Sequence, residues 1–335
     1  MHRKRKLWWI ALGLTLTILS GCGGARASLG PDPAGADAGS ASGGQRTIRI
    51  AHQYDAVTVI GQAKGWFEEE FGKDGTQVVY TRFIAGPPIM EAFSAGRQDI
   101  GYAGDMPPVA ARASGVEVKV VGVSYRTRTG YTTVVRAESP IQSVQDLKSK
   151  TLAAQVGTAQ YHYALRLLDQ QGLTGQVRVV NIPLTELRPA LESGSVDAIV
   201  ANEQLAGTLE YEGVGRILPD SRGVKPGLGL VVARAGFVRE HPDLVRRFLR
   251  VIRRVHEYIQ AHSEEAAEIA SREVGYPAPV YLHIFKDSDY DVRIRPDDIH
   301  QLELVRDFLF ETKVIRDRFP ITDLVDPRFA ADVAG

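Results

Sequence analysis

Residues 99–124 read DIGYAGDMPPVAARASGVEVKVVGVS, and the order of residue types in this stretch decides the class of fold. Residues 99–103 form a short run that reads as a strand. Gly104 and Asp105 break it, and residues 107–114 follow as a helix opened by prolines, which suit a first helical turn because the N–H they lack has no partner there anyway. Val116 then begins a long apolar run through Ser124 that reads as a second strand. Strands alternating with helical patterns point to α/β layers with largely parallel strands.

The alternation extends in both directions. Upstream, residues 47–52 and 77–83 read as strands, and residues 58–71 and 88–95 as helices. Downstream, residues 131–136 read as a strand after a turn at Gly130. Beyond Ser139-Pro140 the series begins again, with strands over 151–155, 177–182 and 196–201 and helices over 159–171 and 184–192. Residues 228–233 are a further strand, and beyond it the period is helical over 242–261, 264–274 and 296–312. One α/β unit, a second, then a strand followed by helices predicts that the third section returns to the first lobe. The expected plan is a first lobe over 46–136 and 227–325 and a second lobe over 137–226, joined by two crossovers.

The N-terminus has another character. His2-Arg3-Lys4-Arg5-Lys6 precedes an apolar core from Leu7 to Leu19 and the small residues Ser20 and Gly21. That is the layout of a secretory signal over residues 1–21. An apolar helix of this length rises only about 20 Å, against a hydrocarbon core of roughly 30 Å, so a permanent span is the poorer reading. Cys22 follows directly and is the only cysteine in 335 residues, which excludes intrachain disulfides and cysteine-ligated metals. From 22 to 45 the chain is almost entirely Gly, Ala, Ser, Pro and Asp, too poor in apolar surface to offset its ordering entropy, and reads as a flexible tether.

Charge narrows the function. The chain balances 40 Lys and Arg against 40 Asp and Glu; losing Arg3, Lys4, Arg5 and Lys6 with the leader leaves 36 against 40, a formal charge of −4. This argues against a nucleic-acid partner, whose footprint is a basic excess. Arg246, Arg247, Arg250, Arg253 and Arg254 cluster, but at helical spacing between Leu244, Phe248, Leu249 and Ile252, as the solvated face of an amphipathic helix. Asp287, Asp289 and Asp291 mimic the start of a calcium loop, yet Val292 stands where glycine is needed, and an exposed acidic turn is expected instead. The eight histidines show no zinc spacing, and no nucleophile-elbow, Walker or dinucleotide fingerprint is present. No cofactor or metal is expected.

Four pieces of the sequence carry a resemblance. They are GDMPPVAARASGVEVKVV over 104–121; Lys64-Gly65-Trp66-Phe67-Glu68; Ser139-Pro140-Ile141 through Asp146-Leu147-Lys148; and Glu192-Ser193-Gly194-Ser195-Val196-Asp197-Ala198. In this order, over about residues 47–323, the chain resembles ABC-importer solute-binding proteins of the aliphatic sulfonate, taurine and nitrate branch, which includes the THI5-like proteins. The resemblance implies a type II periplasmic-binding-protein fold, with two α/β lobes of mixed, mostly parallel sheets joined by a two-strand hinge. It implies that Cys22 ends a lipobox and is acylated, anchoring the protein outside the cytoplasm. It also implies that a monomer captures a small anionic or zwitterionic solute and passes it to a permease and its ATPase, with no catalysis.

Ligands of open α/β sheets sit beyond the carboxyl ends of strands, where helix N-termini offer unpaired N–H groups and partial positive charge. The candidates are therefore strand-to-helix turns. Gly86 and Pro87 follow the second strand, as a backbone donor site or a plain turn. Asp105 and Met106 follow the third; capping its helix is the expected role for the Asp105 carboxylate, which a sulfonate would repel, although a ligand amine would make it a partner. Gly157, Thr158 and Ala159 open the helix carrying Tyr161 and His162, and the resemblance implies that this turn grips an anionic head. Gln53 and Tyr54 lie just past the first strand, where they can donate or stack.

Asn202 and Glu203 follow the strand over 196–201, with Gln204 beside them. The sulfonate-binding relatives commonly place an aromatic there, so a more polar pocket is expected. Ser124, Arg126 and Arg128 stand near the crossover as hydroxyl and cationic candidates, or as solvated hinge residues. A thiamine-pyrimidine type of binding protein or enzyme on the same fold is the alternative, and it would centre its chemistry on His52 or His162.

Overall fold

The structure is a computed structural model that describes residues 46–219 and 222–334. The leader expected over 1–21, Cys22 and the tether expected over 22–45 lie outside the described residues.

Two sheets organise the chain. The first has six strands in the order β11-β4-β10-β3-β1-β2, built from β1 (Thr47–His52), β2 (Gln77–Arg82), β3 (Ile100–Gly104), β4 (Val118–Thr127), β10 (Gly227–Arg234) and β11 (Ser288–Asp289). The second has five in the order β7-β6-β8-β5-β9, from β5 (Tyr131–Arg136), β6 (Thr151–Ala154), β7 (Arg178–Asn181), β8 (Ala198–Asn202) and β9 (Gly215–Ile217). Pairing is parallel where helices link successive strands, as in β1 with β2 and β3, and β6 with β7 and β8. It is antiparallel wherever a crossover or returning strand takes part, as in β10 with β3 and β4, and β5 with β8 and β9. The strands that connect the sheets therefore make the pattern mixed.

β5 corrects the expected lobe boundary. Residues 131–136 pair with β8 and β9 in the second sheet, so the first crossing lies at 128–130 rather than after 136. The return crossing ends at β10. The two crossings touch at Gly130 and Gly227, where a Cβ on Gly130 would stand 2.3 Å from the Gly227 Cα. Only glycine lets these backbones meet.

Both faces of each sheet are packed. The first sheet buries Ile48 and Ile50 against α1 (Ala56–Ala63), α2 (Trp66–Gly72), α9 (Pro242–Ala261) and α10 (Ser263–Val274). Its other face buries Ala51 and Ala103 against α3 (Gly86–Ser94), α4 (Met106–Ala113) and α12 (Pro296–Glu311). In the second sheet α5 (Ala159–Gln170) covers one face, and α6 (Leu187–Glu192) with α7 (Glu203–Tyr211) covers the other. The helix expected over 58–71 is two helices, because Gly65 takes a left-handed φ of 67° and breaks it.

α7, α8 (Ala235–Glu240), α11 (Ala278–Asp287) and α13 (Arg328–Ala334) were not legible as helices. The acidic turn is not loose: Asp289 and Asp291 pair with Arg295, Asp291 also holds Arg293 at 2.8 Å, and β11 joins β4. The arginine face of α9 is likewise engaged rather than merely solvated. Arg247 pairs with Asp74 at 2.6 Å, Arg254 with Glu69 at 2.8 Å and Arg246 with Asp332 at 2.9 Å. Among the described residues no helix is long and apolar enough to cross a membrane.

Candidate functional site

Five helix N-termini bear on the cleft between the sheets, and the sequence leaves one of them open. In α3 the first residues are Gly86-Pro87-Pro88 and in α4 they are Met106-Pro107-Pro108, so two of the first three N–H groups are missing from each. α1 is capped by Asp55, whose Oδ1 accepts from the Thr58 N–H at 2.8 Å, and α7 by Asn202, which accepts from the Leu205 N–H at 3.0 Å. α7 also carries Glu203 in its first turn.

α5 differs. Thr158 stands at its N-cap, yet the hydroxyl donates back to the Gln155 carbonyl at 2.6 Å instead of accepting from the helix. Tyr161 donates its N–H to the Thr158 carbonyl at 3.1 Å, which leaves Ala159 and Gln160 to present their donors outward. Such an end carries about half a positive charge, and each charge-assisted bond it makes contributes about 1.5–3 kcal/mol.

Two adjoining cavities occupy the cleft. One, of about 80 Å³, is lined by Thr158, Ala159 and Gly86; the other, of about 150 Å³, by Tyr54, Asp55 and Tyr276. Gln53, Tyr102, Tyr125, Gln160, Asn202 and Gln204 line both, so the two are ends of one space. Gly157, with φ 80°, faces Pro87 at the edge, where a Cβ would lie 3.7 Å from the proline ring.

One wall is made of tyrosines, and Gln53, Gln160, Asn202 and Gln204 around it keep the lining polar. Tyr102 on β3 and Tyr125 on β4 stack with ring centroids 6.1 Å apart and 16° between planes, their hydroxyls 3.1 Å apart. β10 runs between those strands, and its Gly229 makes the stack possible: a Cβ there would stand 2.5 Å from Tyr125 Cε1 and 2.8 Å from Tyr102 Cε2. Tyr131 adds a third ring to the lining.

Asp105 does not cap α4, which corrects the expected role. It is fully buried and pairs at 2.5 Å with Lys225 of the return crossing, whose Nζ also lies 5.1 Å from the centre of the Tyr131 ring. A neutralised carboxylate is no receptor for a ligand amine. Glu203 accepts from the hydroxyls of Thr127 and of Thr129, the latter at 3.0 Å, and burial pushes its carboxyl above the ordinary range. Asp55 is 4% exposed and its Oδ2 has no partner, an arrangement that costs about 1–3 kcal/mol. Burial pushes its carboxyl up as well.

The structure thus brings Gln53, Tyr54, Gly86, Thr158, Ala159, Asn202 and Glu203 to the cleft, with Pro87 and Gly157 at its edge. Five further candidates lie elsewhere. Met106 packs in the core under α4, and Tyr161 turns toward the core under α5. Ser124 is buried, its carbonyl accepting from His256 Nε2 at 2.6 Å. Arg126, 2.6 Å from Asp298 and bonded to the Asp291 carbonyl at 2.8 Å, braces the hinge strand; exposed Arg128 does not line the cleft.

Neither His52 nor His162 lines the cleft. His162 stacks on Phe308 of α12 at 4.1 Å beside a separate groove of about 440 Å³, and burial pushes its pKa down to about 3. Sequence reasoning missed Tyr102, Tyr125, Gln160 and Asp55; the first two read as ordinary strand residues until the sheet order is known. Among the described residues no cluster of His, Asp and Glu could hold a metal ion.

Comparison with known proteins bears on the family and the fold. The family described as "NMT1/THI5 like" matches residues 53–266. The chain is 32% identical over 329 residues to a Bacillus subtilis (strain 168) protein named "Putative aliphatic sulfonates-binding protein", covering 96% of this chain and 94% of that one. It is 26% identical over 209 residues to the taurine-binding periplasmic protein of Escherichia coli (strain K12), covering 61% and 63%. Among solved structures, the alkanesulfonate-binding protein SsuA from Xanthomonas axonopodis pv. citri, bound to MOPS, superposes with a TM-score of 0.76 at 23% identity over 84% of this chain and 98% of that one. The fold is that of the type II periplasmic binding proteins.

Proposed function

The chain belongs to the NMT1/THI5-like family, and from that premise we propose that it is the solute-binding component of an ABC importer. In this reading it captures a small oxyanion-bearing solute, an alkanesulfonate or taurine-like compound, and delivers it to a permease and its ATPase. The single observation that carries the reading is the uncapped N-terminus of α5, which faces a tyrosine wall across a small cavity. An oxyanion accepts the Ala159 and Gln160 N–H bonds, while the carbon chain lies against Tyr102 and Tyr125. The names of the curated relatives, for binding sulfonates and taurine, support the choice of head group.

Binding of this kind needs no covalent step. The two crossings at Gly130 and Gly227 are the hinge, and a ligand that touches both sheets favours the closed arrangement by its additional contacts there. The lobes of the proposal are accordingly 46–127 with 227–325, and 131–218. The leader and Cys22 place the domain outside the cytoplasm on an acyl anchor, in keeping with a relative named as periplasmic. Cys22→Ala is expected to abolish fatty-acid labelling and leave solute affinity unchanged.

Calorimetric titration of the protein lacking its leader with ethanesulfonate, taurine, nitrate and an uncharged thiamine-pyrimidine precursor tests the function. Saturable binding of an oxyanion is expected, with a thermal stabilisation of about 2.7 kcal/mol at a hundredfold excess over Kd. Binding of the uncharged heterocycle alone overturns the proposal.

A further inference from the structure

Capping requires less of residue 55 than the structure provides. Asparagine caps as well as aspartate, and Asn202 does so on α7 in this same cleft. At Asp55 only Oδ1 is used for the cap; Oδ2 is buried, lacks a partner, and belongs to a side chain that lines the larger cavity. A buried carboxylate oxygen without a donor persists where something outside the folded chain supplies one.

The other carboxylates near the cleft have their charges answered from within the chain. Asp105 has one oxygen on Lys225, and its other oxygen, also without a hydrogen-bond partner, does not line the cavities; Glu203 takes the hydroxyls of Thr127 and Thr129. Asp55 has only the nearby His52 ring to act on its charge. The space is also polarised along its length. Its smaller end has the α5 donors and the Gly86 turn, and its larger end has Asp55 and Tyr276. A molecule spanning both ends meets N–H groups at one and a carboxylate at the other.

We propose that Asp55 is a specificity-determining residue that binds a protonated amine, so that the preferred solute is a short zwitterion with an oxyanion at α5 and an ammonium at Asp55. This rests on the oxyanion reading of the cleft and narrows it to amino-substituted solutes. Tyr102 and Tyr125, shared by both ends, lie along the linking carbons. The upward push that burial gives the Asp55 carboxyl is relieved when an ammonium arrives.

The test compares 2-aminoethanesulfonate with ethanesulfonate, which share the head group and differ in the amine, on the wild-type protein and on Asp55→Asn, which keeps the cap and removes the charge. The wild-type protein is expected to bind the amino compound about 10- to 100-fold more tightly, as a charge-assisted hydrogen bond provides. Asp55→Asn is expected to bring the two within about twofold while its affinity for ethanesulfonate holds or rises, because a repelling charge is gone. Equal binding of the two by the wild-type protein, or a preference that survives Asp55→Asn, overturns this inference and leaves the oxyanion reading standing. Failure of both sulfonates to bind the wild-type protein overturns the oxyanion reading and this inference together.

Discussion

The two sheets present unlike helix ends to one cleft. On the five-stranded side α5 opens with Thr158-Ala159-Gln160, uncapped and with its donors free. On the six-stranded side α3 and α4 open with Gly86-Pro87-Pro88 and Met106-Pro107-Pro108, and the space beside them is filled by stacked tyrosines. Helix N-termini are equivalent in dipole, so the difference lies in which donors survive and which carboxylates stand nearby. One sheet supplies an electrostatic grip and the other a shaped surface of tyrosine rings with one unmet acid. A ligand with a charged head and a carbon body has a single orientation that suits both.

The comparison can be broken most severely at the buried pair that silences Asp105. Lys225→Met leaves that carboxylate uncompensated in the interior and is expected to cost about 3–5 kcal/mol of stability, read by chemical denaturation. Adding Asp105→Leu to the same chain is expected to restore most of the loss. Equal stability of the single variant and the wild type would show that the pair is not formed.

The tyrosine wall is the next point of attack. Gly229→Ala drives a methyl into Tyr125 and Tyr102 and is expected to cost about 1–3 kcal/mol by overpacking, with weaker solute binding because the stack splays. Unchanged stability and affinity would mean the rings do not flank that glycine. The grip on the other side is tested by Ala159→Pro, which gives α5 the kind of first turn that α3 and α4 have. Thr158, at φ −113° and ψ 163°, accepts a following proline without strain, so folding is retained. Affinity for an oxyanion is expected to fall about 10- to 100-fold, the worth of one charge-assisted donor.

A separate effect concerns pH. His162 and His256 are neutral in the folded protein, their pKa values pushed down by burial to about 3 and about 4. In the unfolded chain each takes up a proton near pH 6.5, so the unfolded state binds more protons below that value. Stability is therefore full above about pH 6.5 and falls with pH by roughly 1 kcal/mol per unit for each histidine, until the folded-state value is reached. His162→Phe is expected to flatten the dependence of thermal midpoint on pH between 6 and 4, and an unaltered slope would contradict the burial of that ring.

The layered class and the site's better half were legible because they are local. Gly157-Thr158-Ala159 is a turn and a helix start just past the end of β6, and any reading of helix termini finds it. Tyr102 and Tyr125 become neighbours only because β10, about a hundred residues further along the chain, inserts between their strands and brings a glycine to the point where they meet. Asp105 looked like a cap because its partner, Lys225, is 120 positions away. Asp55 was passed over, because burial, which no local pattern encodes, is what distinguishes its second oxygen. α11 escaped notice because Asp287 reads as the start of an acidic turn, although α11 continues through it.

A crystal structure of the leaderless protein grown with 2-aminoethanesulfonate tests the central claim most directly. The account predicts sulfonate oxygens about 2.7–3.1 Å from the Ala159 and Gln160 nitrogens, with the chain along Tyr102 and Tyr125. A sulfonate seated instead on the proline-opened turns of α3 or α4, with the α5 donors facing solvent, would contradict it.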